Sequence, residues 1–215
     1  RILVFYPRDG VSDVQKLQMI TQEGQNVGVC AVEGNFDDAQ SGVKAIFSDE
    51  GLRTRLEEKG FFLSSANSIN WGRLVPQIVY YISAYCDLVK CGQLRPGDKV
   101  NFVVPTGNFG NILAGYYAAR MGLPVHKLIC ASNRNNVRTD FIRLGEYDRN
   151  RPFYTTMSPS MDILISSNLE RLLFDVLDRD DGALELLMDA LKTEGRYRIG
   201  ADALSRLREQ FDAGF

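Results

Sequence analysis

The sequence predicts an α/β fold in which helices flank parallel β-sheets, and three observations support this class. Short runs of β-branched and aromatic residues alternate with helical patterns along the chain. The clearest run, Val100–Val104, is typical of a strand buried in a parallel sheet. With 215 residues, of which 45% are hydrophobic, the chain can bury a large core and has a normal length for one or two domains.

The first third of the chain contains two strand patterns and three helical patterns. Ser12–Gln15 has the form of a capping box, in which a serine and a glutamine three residues later satisfy the first N–H groups of a helix. The expected elements are a strand at Ile2–Tyr6, a helix from Ser12 to about Thr21, a strand at Asn26–Glu33, a helix from the Asp37 cap to Phe47, and a solvated helical face at Arg53–Lys59.

The rest of the chain begins with the polar segment SSANSIN, residues 64–70, and continues as alternating helices and strands. Pro76 lies early enough to be tolerated near the first turns of a long helix, and Gly145 suits a helix C-terminus. The expected elements are a helix at Trp71–Lys90, a strand at Val100–Val104, a helix through Ile112–Met121, a strand at Leu128–Ala131, a helix from Asn135 or Asn136 to Leu144, and helices at Leu169–Leu177 and Gly182–Leu191.

The most informative segment is GNFGN, residues 107–111, between the strand at Val100–Val104 and the following helix. The first N–H groups of a helix lack intrahelical partners, and the helix dipole favours negative charge at that end. Two glycines let a backbone approach a phosphate closely. No lysine or arginine lies between Pro105 and Arg120, which favours capture of a phosphorylated ligand by backbone amides over binding of nucleic acid. A plain strand-to-helix turn is the alternative interpretation.

Composition excludes several classes of function. The net charge of −2 provides no basic surface for nucleic acid, and the longest apolar runs are too short to span a bilayer. The four cysteines form no C-x-x-C pair, which favours reduced thiols in a cytosolic protein. His126 is the only histidine, so neither a multi-histidine metal site nor a Ser-His-Asp triad is favoured, and no metal site is predicted.

Two further polar segments are candidates for ligand contact. SSANSIN ends where a helix begins and could approach the same crevice as the GNFGN loop, because ligands of parallel sheets bind outside the carboxyl ends of the strands. Ser158–Asp162 and the following Ser166–Asn168 form the other segment. For both segments an ordinary helix-capping loop, with Ser167 or Asn168 as the cap in the second, is the alternative.

Several long motifs, taken in order, resemble the threonine synthase family of pyridoxal-phosphate enzymes. They are VSDVQKLQM, GNFDDAQ, SSANSINWGRLVPQIVYY, VVPTGNFGNILAGYYAARMGLP and SPSMDILISSNLERLLF. The resemblance implies fold type II, like the tryptophan synthase β subunit, with residues 1–63 as part of a smaller domain and 64–215 as part of a larger one. It implies pyridoxal 5′-phosphate as cofactor, with its phosphate held by Gly107, Asn108, Phe109, Gly110 and Asn111. The family reaction converts O-phospho-L-homoserine and water into L-threonine and phosphate.

The chain departs from the family pattern because none of its lysines lies in a motif that carries the Schiff-base role. The resemblance places that lysine upstream of Arg1, so no catalytic residue is assigned and the chain is expected to be an internal piece, inactive alone. Ser65, Asn67 and Asn70 are the candidate substrate contacts. A cytoplasmic location is expected, and the sequence does not indicate an oligomeric state. A non-catalytic module that binds a phosphorylated ligand is the alternative, whereas a pure scaffold fits the glycine loop poorly.

Overall fold

A computed structural model describes residues 2–8, 11, 13–34, 36–64 and 68–214. The chain divides into two compact units, residues 1–64 and 65–215, which are treated separately below. The assignment of these regions to a smaller and a larger domain of a parent enzyme stays a prediction.

The first unit contains a two-stranded parallel sheet. Strand β1 (Ile2–Pro7) pairs with β2 (Val27–Val32), and helix α1 (Asp13–Ile20) lies between them in the chain. Helices α2 (Phe36–Ser48) and α3 (Glu50–Glu57) follow. The predicted strands and helices of this region are therefore confirmed. The expected cap at Asp37 is wrong, because α2 begins one residue earlier and includes Asp37. Ser12, the expected cap of α1, lies outside the described residues.

The second unit opens with a helical segment that is interrupted at its proline. Helix α4 (Trp71–Leu74) passes into a 3₁₀ turn at Val75–Gln77, and helix α5 (Ile78–Lys90) continues from it. The single helix expected over Trp71–Lys90 is therefore wrong in detail. Pro76 has no N–H to donate and its ring crowds the preceding turn, so the backbone tightens there.

A three-stranded parallel sheet forms the centre of the second unit. Its strands are β3 (Val100–Pro105), β4 (Val125–Ala131) and β7 (Phe211–Gly214), in the order β3-β4-β7. Helix α6 (Gly110–Arg120) connects β3 to β4. The predicted parallel sheet with connecting helices is confirmed, and the GNFGN segment lies at the carboxyl end of β3.

The remaining elements cover the sheet and add a small antiparallel pair. Helix α7 (Val137–Leu144) ends at Gly145, which has the left-handed φ of 73° predicted for its stop, but Asn136 makes no side-chain capping bond. The pair β5 (Glu146–Asp148) and β6 (Arg196–Arg198), helix α10 (Ala201–Gln210) and β7 were not anticipated. Helices α8 (Leu169–Val176) and α9 (Asp181–Thr193) match their predicted positions.

The core of the second unit is built around α6 and the central sheet. Ile112 and Leu113 are fully buried beneath Leu128 and Phe141 in one continuous cluster. All four cysteines are free; Cys130 is buried, whereas Cys30, Cys86 and Cys91 are exposed. Within the described ranges, no group of side chains is suited to hold a metal ion. No helix in those ranges combines the length and apolar character needed to cross a membrane.

A candidate anion site at the N-terminus of helix α6

The GNFGN segment makes a sharp turn between β3 and α6. Thr106 extends the sheet by one residue, since its N–H donates to the carbonyl of Ala131 at 2.9 Å. Its hydroxyl donates to the carbonyl of Val104 at 2.7 Å. The turn closes at Phe109, whose φ of 66° lies in the left-handed region, and α6 begins at Gly110. Left-handed backbone is uncommon for an aromatic residue, so the surroundings must hold it.

Burial of the Phe109 ring holds this conformation. The side chain is 1% exposed, and its ring centroid lies 5.8 Å from that of Phe211 on β7. The phenyl ring therefore belongs to the core. Of the residues proposed to hold a phosphate, Phe109 has only its backbone to offer, a distinction that the sequence motif did not reveal.

The carbonyl groups of the turn are held by the segment that precedes α8. The Gly107 carbonyl accepts a hydrogen bond from the Ser166 hydroxyl at 2.8 Å. The Asn108 carbonyl accepts from both the backbone N–H and the side-chain amide of Asn168, each at 3.1 Å. The Phe109 carbonyl accepts from the N–H of Leu113, as in the first turn of any helix. All three carbonyls are thus directed into the protein.

The N–H groups of the same turn have no hydrogen-bond partner among the described residues. From Gly107 to Ile112, no backbone N–H donates a hydrogen bond to any residue that the structure describes. In a trans peptide the N–H points opposite to the carbonyl, so the N–H groups of Asn108 and Phe109 point away from the segment that holds the carbonyls of Gly107 and Asn108. The Gly110 N–H points away from α6, because the Phe109 carbonyl points into that helix. Consecutive N–H groups at a helix N-terminus are suited to an anion.

A cleft of about 260 Å³ adjoins these N–H groups. It is lined by the turn together with Ser68, Ser160 and Met161. Its described lining contains no charged side chain, so an anion held there would be stabilised by backbone dipoles. The residues present therefore fit a phosphate group.

The two glycines also serve a packing purpose that the sequence did not indicate. A Cβ at Gly107 would lie 2.9 Å from the backbone oxygen of Ser160, and one at Gly110 would lie 2.7 Å from the Cβ of Ser68. Glycine is thus required where the turn packs against neighbouring protein segments. Close approach of a phosphate to these two glycines stays a prediction.

Asn111 is held by a tyrosine of α5. The Tyr81 hydroxyl lies 2.6 Å from the side-chain oxygen of Asn111 and 2.9 Å from its carbonyl. Because Tyr81 is buried, its pKa is raised well above the ordinary value and the hydroxyl stays protonated. The first turn of α6 is therefore fixed to α5 at the position where the cleft opens.

Comparisons with known proteins agree with this geometry. No family model matches the chain. Human threonine synthase-like 1 is 47% identical over 214 residues, 99% of this chain, and threonine synthase from Pseudomonas aeruginosa is 45% identical over 212 residues, again 99%. The crystal structure of PLP-bound threonine synthase from Brucella melitensis superposes with a TM-score of 0.84 at 45% identity, covering 99% of this chain.

The chain is a homologue of the threonine synthases. The α/β fold class, with the parallel sheets of fold type II, is confirmed by the match to the Brucella melitensis enzyme. The chain spans 29% of human threonine synthase-like 1, 43% of the Pseudomonas aeruginosa enzyme and 44% of the Brucella melitensis chain.

In this threonine synthase homologue, only one of the three candidate substrate contacts, Asn70, lies among the described residues. Ser65 and Asn67 lie outside the described residues. The side-chain oxygen of Asn70 accepts a hydrogen bond from the N–H of Gly72 at 2.9 Å and so caps α4. A contact between Asn70 and a substrate stays a prediction.

The sequence did not predict which residues support the turn. Asn168 was expected to cap α8 or to contact a ligand, yet it makes no capping bond and instead holds the Asn108 carbonyl. Its side-chain amide also donates to the Ser68 hydroxyl at 2.9 Å. The sequence did show that the two segments are rich in short polar side chains, but it did not indicate which groups those side chains bind.

The buried carboxylate of Asp162 anchors a segment that lines the cleft. Asp162 accepts hydrogen bonds from the side-chain amides of Asn133 and Asn135 at 2.6 and 3.1 Å. It also accepts from the hydroxyl and the N–H of Thr156, both at 2.8 Å. Because Ser160 and Met161 directly precede Asp162, this network fixes two of the residues that line the cleft beside the turn.

Proposed function

We propose that this chain is part of a threonine synthase, a pyridoxal-phosphate-dependent lyase of threonine biosynthesis. The whole enzyme would convert O-phospho-L-homoserine and water into L-threonine and phosphate. This chain would supply the loop, Gly107–Asn111, that holds the cofactor phosphate. When bound, the pyridine ring of the cofactor would act as the electron sink for carbanions formed on the substrate.

One observation carries this proposal, namely the row of N–H groups from Gly107 to Ile112 that have no partner among the described residues and border a cleft free of charged side chains. A row of this kind at a helix N-terminus suits a phosphate dianion. The sequence similarity to threonine synthases supports pyridoxal phosphate as the phosphorylated ligand, since the Brucella melitensis relative is PLP-bound.

The covalent anchor of the cofactor is proposed to lie outside this chain. Within the described residues, no lysine is among those that line the cleft. We therefore expect the 215 residues to bind the phosphate group and to be inactive alone. The polar group that faces the pyridine nitrogen is likewise expected outside the chain.

The experiment compares the full-length protein that carries this chain with the 215-residue chain alone. Each is incubated with pyridoxal phosphate and O-phospho-L-homoserine, and threonine and inorganic phosphate are both quantified. The full-length protein should release the two products in equal amounts, whereas the isolated chain should release neither. A full-length protein that binds pyridoxal phosphate yet forms no threonine would refute the proposed reaction.

A non-catalytic module that binds a phosphorylated ligand is the second candidate. The lack of a lysine around the described part of the cleft favours it. Retention of the cofactor by the full-length protein without an absorbance band from a lysine linkage would support this function over the first. A cytoplasmic location is proposed for either function, because the exposed free thiols of Cys30, Cys86 and Cys91 suit a reducing compartment.

A further inference from the structure

A buried arginine without an acidic partner lies behind the turn. Arg138 is fully buried on α7, and its guanidinium donates to the carbonyls of Ile163 and Asn135, each at 2.7 Å. No carboxylate pairs with it among the residues that the structure describes, and its Nε atom has no hydrogen-bond partner. A buried charge that is not paired is costly, so a role is expected for it.

The guanidinium connects to the turn through one hydroxyl. Nη1 of Arg138 lies 3.4 Å from the Ser166 hydroxyl, which in turn donates to the Gly107 carbonyl at 2.8 Å. The Gly107 carbonyl and the Asn108 N–H belong to the same peptide group. Hydrogen bonds in a chain polarise one another, so the cation increases the positive character of the Asn108 N–H.

A second arginine is connected to the next peptide in the same way. Arg171 donates to the side-chain oxygen of Asn168, and its Nη1 also donates to the carbonyl of Ser68 at 3.0 Å. The amide of Asn168 donates to the Asn108 carbonyl, which shares its peptide group with the Phe109 N–H. Arg171 also forms no ion pair with a described residue.

We propose that Arg138 and Arg171 are positioning residues that strengthen anion binding by the turn from behind, through Ser166 and Asn168. Neither arginine lines the cleft. The two cations would increase the partial positive charge on the N–H donors of the turn. They would do so without exposing a basic surface to nucleic acid or other polyanions. This inference rests on the proposed function, because it assigns the residues that tune the same phosphate site.

Two further features agree with an electrostatic role for Arg138. Burial lowers the pKa of its guanidinium, yet arginine retains its proton in proteins, so the charge persists. The described hydrogen-bond partners of Arg138 are neutral carbonyls and a hydroxyl, so no ion pair offsets its charge directly, and the Asp162 carboxylate is linked to it through Asn135. In a site of low dielectric constant such a charge acts over a longer range than it would in water.

The test measures binding of inorganic phosphate and of pyridoxal phosphate to the full-length protein by calorimetry. Arg138→Met should weaken phosphate binding by about tenfold, the size expected for loss of one charge-assisted hydrogen bond. The matched control is Arg206→Met, which removes the same charge from an arginine that contacts Asp178 and the Val176 carbonyl, neither of which belongs to the turn. The control should change the phosphate affinity by less than about twofold.

Two more variants separate charge from packing. Ser166→Ala removes only the linking oxygen and should weaken phosphate binding severalfold, while Arg138→Lys should restore most of the affinity lost in Arg138→Met. The Arg138→Met/Ser166→Ala double variant should bind no more weakly than about the Arg138→Met single variant, since both changes break one connection. Asn168→Asp is the corresponding test for Arg171. It removes the amide donor that links Arg171 to the Asn108 carbonyl, and it should likewise weaken phosphate binding.

A structural role alone would not change two additional readouts. The preference for pyridoxal phosphate over unphosphorylated pyridoxal should shrink in Ser166→Ala. The Asn108 amide proton resonance should move upfield in the same variant, because its hydrogen-bonded peptide is less polarised. Folded Arg138→Met and Ser166→Ala variants that bind phosphate as tightly as the parent would overturn this inference. A parent protein that binds no phosphate would instead overturn the proposed function, and the inference with it.

Discussion

Replacement of Gly110 by alanine should destabilise the second unit even though it adds a good helix former to the first turn of α6. The added Cβ would lie 2.7 Å from the Cβ of Ser68 and 3.3 Å from the side-chain amide nitrogen of Asn168. The first separation is shorter than real contacts allow, so Ser68 must move. Any such movement disturbs the hydrogen bond between Ser68 and Asn168 that supports the turn.

The net effect is the difference between two opposing contributions. Overpacking of this kind costs about 1–3 kcal/mol. Alanine in place of glycine in a helix recovers up to about 1 kcal/mol. We therefore expect the free energy of unfolding to fall by about 1–2 kcal/mol, and phosphate binding to weaken together with the stability of the turn.

Gly182→Ala is the matched control, because Gly182 also lies in the first turn of a helix of the same unit. A Cβ there would meet only the Asp180 side chain at 3.5 Å, an ordinary contact. This variant should be neutral or slightly stabilised. Both are measured by urea unfolding followed by circular dichroism.

Ser68→Gly offers a direct check of the cause. It removes the atoms that the new Cβ would meet, so Gly110→Ala should cost at least about 1 kcal/mol less in the Ser68→Gly background than in the parent. If Gly110→Ala is as stable as Gly182→Ala, or if Ser68→Gly leaves its cost unchanged, then the close packing of the turn against Ser68 does not explain this glycine.

Three further outcomes are expected. Because burial raises the pKa of Tyr81, the folded chain keeps a proton that the unfolded chain loses at high pH. The free energy of unfolding should therefore be constant below about pH 10 and fall at higher pH. Tyr81→Phe should flatten that fall in urea unfolding measured as a function of pH, and an unchanged slope would contradict this prediction. Asp162→Asn should lower the unfolding free energy by about 2 kcal/mol, whereas the exposed Glu185→Gln should not, and equal effects would rule out the buried network. A thiol reagent should spare Cys130 in the native chain, since burial excludes the reagent and raises the pKa of that thiol; labelling as fast as in urea would contradict its burial.

The fold class and most elements could be predicted because they depend on local patterns. The strand at Val100–Val104, the glycine turn and the helix after it are contiguous in sequence, so the turn was predicted at its observed position. The helix stop at Gly145 follows from the left-handed backbone that glycine tolerates. Strand β7 was missed because it follows α10 directly, without a turn signal between Gln210 and Phe211.

The support of the site could not be predicted because it depends on distant contacts. Ser166 and Asn168 reach the turn across 59 and 60 residues of sequence. The local context of Asn168 suggested a helix cap, a role that uses the same side-chain hydrogen-bonding groups. Tertiary hydrogen bonds determine which of the two roles such a side chain takes, and a single sequence does not indicate its partner.

The packing of Phe109 against Phe211 has a consequence for biosynthesis. The ring that stabilises the left-handed residue of the turn comes from a strand made about a hundred residues later, after every helix of the described chain. A nascent polypeptide that has emerged from the ribosome only as far as α9 lacks this aromatic support. Coenzyme capture is therefore expected to follow completion of the C-terminal strand, and a ribosome-stalled intermediate that ends before Phe211 should not retain it.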